Sequence, residues 1–297
     1  MRNPPANPYL LLTLTALFWS GNMVIARGVH EVVPPMALAF WRWTIAMLLT
    51  LPFALPHLRE QWPRLKAAWR SLLVLGLLSV GCYNTFVYVA LQHTTATSAT
   101  MLNSFIPVAT IAFAFVLLGK RLRPIEVLGV VLSLAGVLAI VSKGSVDTLL
   151  GLRLNAGDLW MLMAVMTWGL YTVGLQWRPQ GVHPMLLLAA FTVIGVAALS
   201  PFYVWELAAG RHAELSGPTL VAILYIGIFP GFLGYIFYNA GIAAVGPNRG
   251  ALFIHLMPVF GTLLAAIFLG ERPHWFHFAG ISLVFAGIYL TTRADAA

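Results

Sequence analysis

The sequence predicts an all-α integral membrane protein: ten transmembrane helices arranged as two inverted five-helix repeats, both termini cytoplasmic. Three observations carry this. The 297 residues are 60% hydrophobic and only 9% charged, where a soluble domain carries roughly a quarter charged residues. Apolar runs of spanning length, about 20 residues each, recur along the whole chain. Finally, Pro107, Gly119, Arg121, Gly129, Leu132 and Gly136 return as Pro258, Gly270, Arg272, Gly280, Leu283 and Gly287, 151 positions on (258 − 107) without a slip in register. Self-similarity of this kind marks membrane transporters built from two copies of one unit.

Taken in order, the expected spans are Tyr9 to Arg27, Pro35 to Pro56, Ser71 to Leu91, Ala96 to Leu118 and Pro124 to Ser142, then Gly157 to Trp177, His183 to Val204, Pro218 to Ile242, Pro247 to Leu269 and Trp275 to Thr292. Residues 1–142 form the first repeat, 143–156 a more polar connecting loop read as periplasmic, and 157–297 the second repeat. The first apolar run lacks a convincing small-residue cleavage site and is expected to be retained as a helix. The Lys and Arg bias of short loops sets orientation. With the N-terminus inside, Arg2, Arg59, Arg64, Lys66, Arg70, Lys120, Arg121, Arg123, Arg178, Arg249 and Arg293 are cytoplasmic, against Arg27, Lys143, Arg153, Arg211 and Arg272 outside. That bias is about two to one.

The formal charge of +8 does not indicate a nucleic-acid partner, because the cations sit in short loops rather than on one face of a soluble fold. The single Cys82 excludes an internal disulfide. Five spans per repeat is an odd number, so the second copy enters the membrane from the opposite side, and two such halves can expose a central site to either side in turn. A static scaffold or a membrane enzyme born of the same duplication is the competing reading.

Polar side chains inside spans are costly unless they face the bundle interior or a water-filled cavity. Asn84 and Tyr88 share a helix face four residues apart, and Tyr235 and Asn239 repeat them in reversed order. Trp19 and Asn22 have counterparts in Trp168 and Tyr171. With Tyr83, Asn103 and His255 these residues are the expected substrate-binding set. The alternative for aromatic residues is an interfacial belt, the stronger reading for Trp41, Trp43, Trp62, Trp69 and Trp275 near span ends. Pro107 and Pro258 remove an N–H that would bond the carbonyls of Asn103 and Ile254. Those oxygens are then open to a substrate, or satisfied locally at a packing kink. Ser104 and His255 precede the two prolines by three residues. A lone His without an acid is more often a neutral hydrogen-bonding group than a proton relay. Gly227, Pro230, Gly231 and Gly234 interrupt the eighth span, as expected of a gating or binding helix or of close packing. Pro107, Pro230, Gly231 and Pro258 are accordingly the bending and gating candidates. Gly129, Ser133, Gly136, Gly280 and Gly287 read as packing faces.

All nine acids fall in loops or at span ends, which disfavours ion antiport by a buried carboxylate. Arg42 and Arg249 approach the spans but lie near their ends, which disfavours phosphate as substrate. No metal-ligand spacing, nucleophile elbow or phosphate-binding loop is present. What remains is an aromatic, amide-rich, nearly uncharged cavity suited to small neutral or zwitterionic solutes.

Phe18-Trp19-Ser20-Gly21-Asn22, Phe40-Trp41-Arg42, Gly157-Asp158-Leu159 with Trp168-Gly169-Leu170-Tyr171, and the doubled Pro to Gly-x-Arg stretch resemble the EamA-type members of the drug/metabolite transporter superfamily. The resemblance covers essentially the whole chain. Within the superfamily the chain looks most like the YddG-type amino-acid exporters. Gly119-Lys120-Arg121 departs from the Gly-Glu-Arg that Gly270-Glu271-Arg272 keeps. The resemblance implies a bacterial inner-membrane exporter, not an enzyme, that moves amino acids or related metabolites without a cofactor. Its expected surroundings are lipid; ten spans are enough to enclose a pathway in a monomer, and the oligomeric state is open. A proton-coupled drug exporter is the nearest rival.

Overall fold

The computed structural model describes residues 7–94, 96–151, 155–268 and 274–293. Arg2, Arg153, Asp295 and the repeat residues Gly270, Glu271 and Arg272 lie outside them. Every regular element described is helical. α1 is Pro8–Gly28, α2 Pro35–Ala67, and α3 Trp69–His93. α4 runs in two pieces, Ala96–Asn103 and Ile106–Leu118, and α5 is Pro124–Val141. Among its described residues the connecting loop holds one short helix, α6, at Val146–Leu150. α7 is Ala156–Gly174, α8 Pro184–Ala208 and α9 Gly217–Val245. α10 starts as Pro247–Leu252, tightens into a 3-10 turn at Phe253–His255 and continues as Leu256–Phe268; α11 is Trp275–Arg293. Among the described residues nine helices are long and apolar enough to cross a membrane. The expected ninth span is the interrupted α10. α2 runs past its expected end at Pro56, because Pro52, Pro56 and Pro63 are absorbed within it.

Pro8, Pro35, Pro124, Pro184 and Pro247 each open a helix, where the N–H that proline lacks would have had no helical partner. Asn155 and Asp158 form a reciprocal cap at the start of α7. Gly119, at φ 65°, ends α4 in the left-handed conformation that glycine adopts freely.

The packing makes the inversion visible. α5 and α11 run antiparallel, with Gly129 against Gly287 and Gly136 against Gly280. In repeat register Gly129 corresponds to Gly280 and Gly136 to Gly287, so the pair maps onto itself with directions reversed. Gly76 on α3 makes room for Ile194 of α8, and its counterpart Gly227 on α9 makes room for Ile45 of α2. α2 and α8 are also antiparallel. The buried Glu206 carboxylate near the end of α8 accepts the Met36 and Ala37 N–H groups at 3.3 and 2.8 Å, an anion placed on the positive end of the α2 dipole. At the other end Gln61 accepts His183 N–H at 2.7 Å and Arg64 donates to the Gly181 carbonyl at 2.6 Å.

Each repeat lends its first helix to the other: α1 packs on α9 and α10, and α7 on α3 and α4. The outcome is two bundles, α1–α9–α10 and α7–α3–α4, framed by the α2–α8 and α5–α11 pairs. Arg64, Lys66, Arg70, Arg123, Arg178 and Arg249 gather where α1, α3 and α5 begin, a basic face. Glu206, Glu214, Asp147 and Asp158 lie toward the opposite face.

Candidate functional site

Two π-helical turns, at Leu77–Tyr83 in α3 and Gly227–Leu233 in α9, stand at equivalent places in the repeats. A π turn widens the ladder and misaligns carbonyls, which is why such turns cluster at functional sites. Ser79 and Pro230 are repeat equivalents within them, and both carbonyls turn inward. The Ser79 carbonyl accepts Tyr235 Oη–H at 3.0 Å. The Pro230 carbonyl accepts Trp19 Nε1–H at 3.1 Å and Arg42 Nη2–H at 3.3 Å. The helices carrying Pro107 and Pro258 are interrupted before the prolines rather than kinked at them. α4 breaks before Pro107, which sits in the first turn of its second piece, and in α10 Leu256 N–H closes the 3-10 turn on the Phe253 carbonyl ahead of Pro258. Gly231 lets the Arg42 stem approach and Gly234 leaves room for the Trp19 indole.

An aromatic layer fills the middle. Trp168, 1% exposed, is its hub, with ring centroids 4.9 Å from Trp19, 4.5 Å from Tyr83, 5.2 Å from Tyr171, 5.5 Å from Tyr235 and 5.3 Å from Tyr238. Trp168 Nε1–H donates to Tyr238 Oη at 3.2 Å, and Tyr238 shares a 2.7 Å bond with Thr172. Tyr83 donates to Asn103 Oδ1 at 2.9 Å.

On either side of this layer lies one amide–phenol bond between the bundles. Tyr88 of α3 donates to Asn22 Oδ1 of α1 at 3.3 Å. Tyr171 of α7 donates to Asn239 Oδ1 of α9 at 2.6 Å. These are the same pair in the two repeats with amide and phenol exchanged. Asn22 lies about 9 Å of helix from the acidic-face end of α1, and Asn239 about 9 Å from the basic-face end of α9. The four polar residues Asn84, Tyr88, Tyr235 and Asn239 are therefore not one cluster: Asn239 borders a cleft of about 490 Å³ near the basic face, while Asn84 faces the central gap. That gap, lined by Trp19, Asn22, Arg42, Asn84, Trp168 and Met257 among others, is only about 10 Å³. A groove of about 120 Å³ beside Asn103, Ser104 and Pro258 lies toward the acidic face.

His255, fully buried, bridges the break in α4 and the α5 frame. The Ser104 carbonyl can only accept, so His255 Nε2 carries a hydrogen and donates to it at 2.8 Å; Nδ1 lies 2.9 Å from Ser133 Oγ and can accept from it.

Sequence reasoning missed three central residues. Arg42 is 2% exposed, and Nη1 donates to Asn22 at 2.7 Å and Tyr88 at 3.2 Å. Its place in the chain is about 10 Å inside α2, deeper than the reading near a span end allowed. Trp43 is buried edge-on against Tyr235 at 4.7 Å rather than part of a belt. Tyr238 shares a face with Tyr235 and Asn239 at helical spacing, the signal that could have found it. Trp62, Trp69 and Trp275 are exposed.

Helices of membrane-spanning length in two inverted, interleaved halves around an aromatic polar centre define a multi-pass membrane transporter. The chain belongs to the EamA-like transporter family, which matches residues 7–142 and 155–293, one match in each half. It is similar to an uncharacterized transporter of Archaeoglobus fulgidus, 30% identical with 96% of each chain covered. The uncharacterized transporter YyaM of Bacillus subtilis is 28% identical, with 95% of this chain and 92% of the relative covered. A solved crystal structure superposes with a TM-score of 0.76 over 95% of both chains at 22% identity, a likeness of fold. Transporters of this family carry small molecules through a lipid bilayer; they are not enzymes.

Proposed function

We propose that this transporter exports amino acids, aromatic and other neutral ones, or similar small metabolites by alternating access, as a facilitated uniporter of the bacterial inner membrane. Ten spans divided at residues 1–142 and 157–297, with the basic face cytoplasmic, suffice to enclose the pathway in a monomer. The observation that carries the reading is the pair of equivalent cross-bundle bonds. Tyr88–Asn22 closes the centre toward the acidic face and Tyr171–Asn239 closes it toward the basic face. With both made, the aromatic layer is shut to each side. Breaking one and keeping the other opens a single side, which is what alternating access requires.

His255 supports uniport over proton coupling. Its ring is held by a carbonyl and a hydroxyl, with no carboxylate among its bonded partners, an arrangement that suits a neutral imidazole. Uptake into liposomes carrying purified protein, with an amino-acid panel and with or without a pH gradient, tests this directly. Aromatic and neutral amino acids should move without the gradient; movement only with it refutes uniport.

The two gates predict opposite biases. Each hydrogen bond is worth about 1 kcal/mol, a shift of about fivefold in a two-state population; Tyr171→Phe removes one, and Tyr88→Phe removes its bond to Asn22 and the one it accepts from Arg42. Tyr88→Phe should raise labelling of a cysteine introduced at Met257, in the central gap, from the acidic face, and Tyr171→Phe from the basic face. Matching labelling patterns in the two variants would sink the gate assignment.

A further inference from the structure

Arg42 is a buried cation without a counter-ion. Among the described residues it takes part in no ion pair, and its bonded acceptors are all neutral: Asn22 Oδ1, Tyr88 Oη and the Pro230 carbonyl. Holding a guanidinium in such a place is costly unless an anion joins it, and an ionisable group inside a membrane bundle commonly marks the path of a substrate. Under-used donors of two residues border one gap. Arg42 Nε has no partner, Nη2 reaches Pro230 O only at 3.3 Å, and Asn84 Nδ2 has no partner. Arg42 and Asn84 are each 2% exposed, and both line the central gap beside Trp19, Tyr83 and Trp168.

The Nε–Nη2 edge of a guanidinium is a fork that fits the two oxygens of a carboxylate. We propose that the solute carries a carboxylate that docks on this edge of Arg42, with Asn84 Nδ2 as a third donor and the aromatic layer against its body. The Pro230 carbonyl, on the α1–α9–α10 bundle, holds the place of that carboxylate in the closed state. When this bundle swings away from α2, the carboxylate takes over as the acceptor of Nη2. The repeat equivalent of Arg42 is Phe191, at the offset that relates Trp19 to Trp168 (191 − 42 = 149). One edge therefore exists per chain, for one carboxylate. No acid lines the gap to meet an ammonium, so a net monoanion is held better than a zwitterion with the same ring.

This rests on the transport reading for its site but is tested apart from it. Full-length protein in lipid nanodiscs is titrated calorimetrically with phenylacetate, its uncharged counterpart phenylacetamide, and phenylalanine. Phenylacetate should bind tightest, with phenylacetamide weaker by about tenfold or more, the worth of a charge-assisted bond. Arg42→Gln should erase the preference for acid over amide while leaving the amide affinity in place. Because Arg42 also ties α1, α2 and α3 together, Asn84→Leu serves as the second variant. Phenylacetate affinity should fall several-fold in it while phenylacetamide affinity does not, a split that a general loss of packing from the larger side chain would not produce. Equal affinity for acid and amide, no binding of the acid, or equal loss of both ligands in Asn84→Leu overturns the carboxylate site. Phenylalanine binding tighter than phenylacetate overturns its preference for a monoanion. Selective acid binding with no solute movement in liposomes refutes transport by this route and leaves the site standing; amino-acid movement with acid and amide bound alike does the reverse.

Discussion

Trp168→Ala is expected to lose both stability and transport. The indole touches five aromatic rings drawn from both bundles, and truncating a buried Trp costs about 3–5 kcal/mol because its neighbours close only part of the hole. The melting temperature of the purified protein should fall by several degrees or more. The lost Nε1–H bond leaves Tyr238 with Thr172 alone, so the two bundles lose a contact as well as packed surface. For aromatic solutes, uptake per folded molecule should fall by an order of magnitude or more; small aliphatic solutes, which stack on nothing, should lose less. Unchanged uptake of every solute, in this variant and in Tyr88→Ala alike, would remove the aromatic layer from the pathway.

Much of this architecture is legible in the sequence, and the physics explains which part. Hydrocarbon forces backbone polar groups into helices, so the spans announce themselves by length and hydropathy. The repeat register read from Pro107 and Pro258 pairs Asn84 with Tyr235, and an offset two residues shorter pairs Trp19 with Trp168, before any coordinates. Partnership is harder to read. Asn84 and Tyr88 are neighbours on one helix, yet Tyr88 turns to Asn22 and Arg42 whereas Asn84 turns to the gap, because contact across helices depends on rotation as well as spacing. The π turns are visible in sequence only as clusters of Gly, Ser and Pro. Their consequence, a carbonyl turned inward at Ser79 and Pro230, follows from backbone geometry that composition does not encode. Arg42 was hidden by a different cause. Its distance from Pro35 looked like a span end, but α2 runs on for 33 residues, and partners from α1, α3 and α9 close over it.

The α5–α11 pair yields a prediction in which symmetry itself is measured. A Cβ on Gly136 would stand 2.5 Å from the Gly280 carbonyl and 2.9 Å from Val284 N, and one on Gly287 would meet the Gly129 carbonyl and Ser133 N at its equivalent place. The opposing atoms are backbone, so they cannot rotate aside as a side chain would; the helices must separate. Gly136→Ala and Gly287→Ala should therefore each destabilise by about 1–3 kcal/mol, the cost of overpacking, and by similar amounts because the repeat makes the sites equivalent. Gly136→Leu should go further and sharply reduce folded protein. Gly217→Ala is the control: nothing lies within 4 Å of its added methyl, so its melting temperature should stay unchanged. If Gly136→Ala melts like Gly217→Ala, the close crossing is wrong. Unequal losses at Gly136 and Gly287 would instead mean that the frame is less symmetric than its sequence. A frame this tight also explains where motion goes. Backbone packed on backbone resists sliding, whereas side-chain hydrogen bonds such as Tyr171–Asn239 break and re-form at a cost of about 1 kcal/mol each. The rigid pair can thus serve as the pivot about which the two bundles rock.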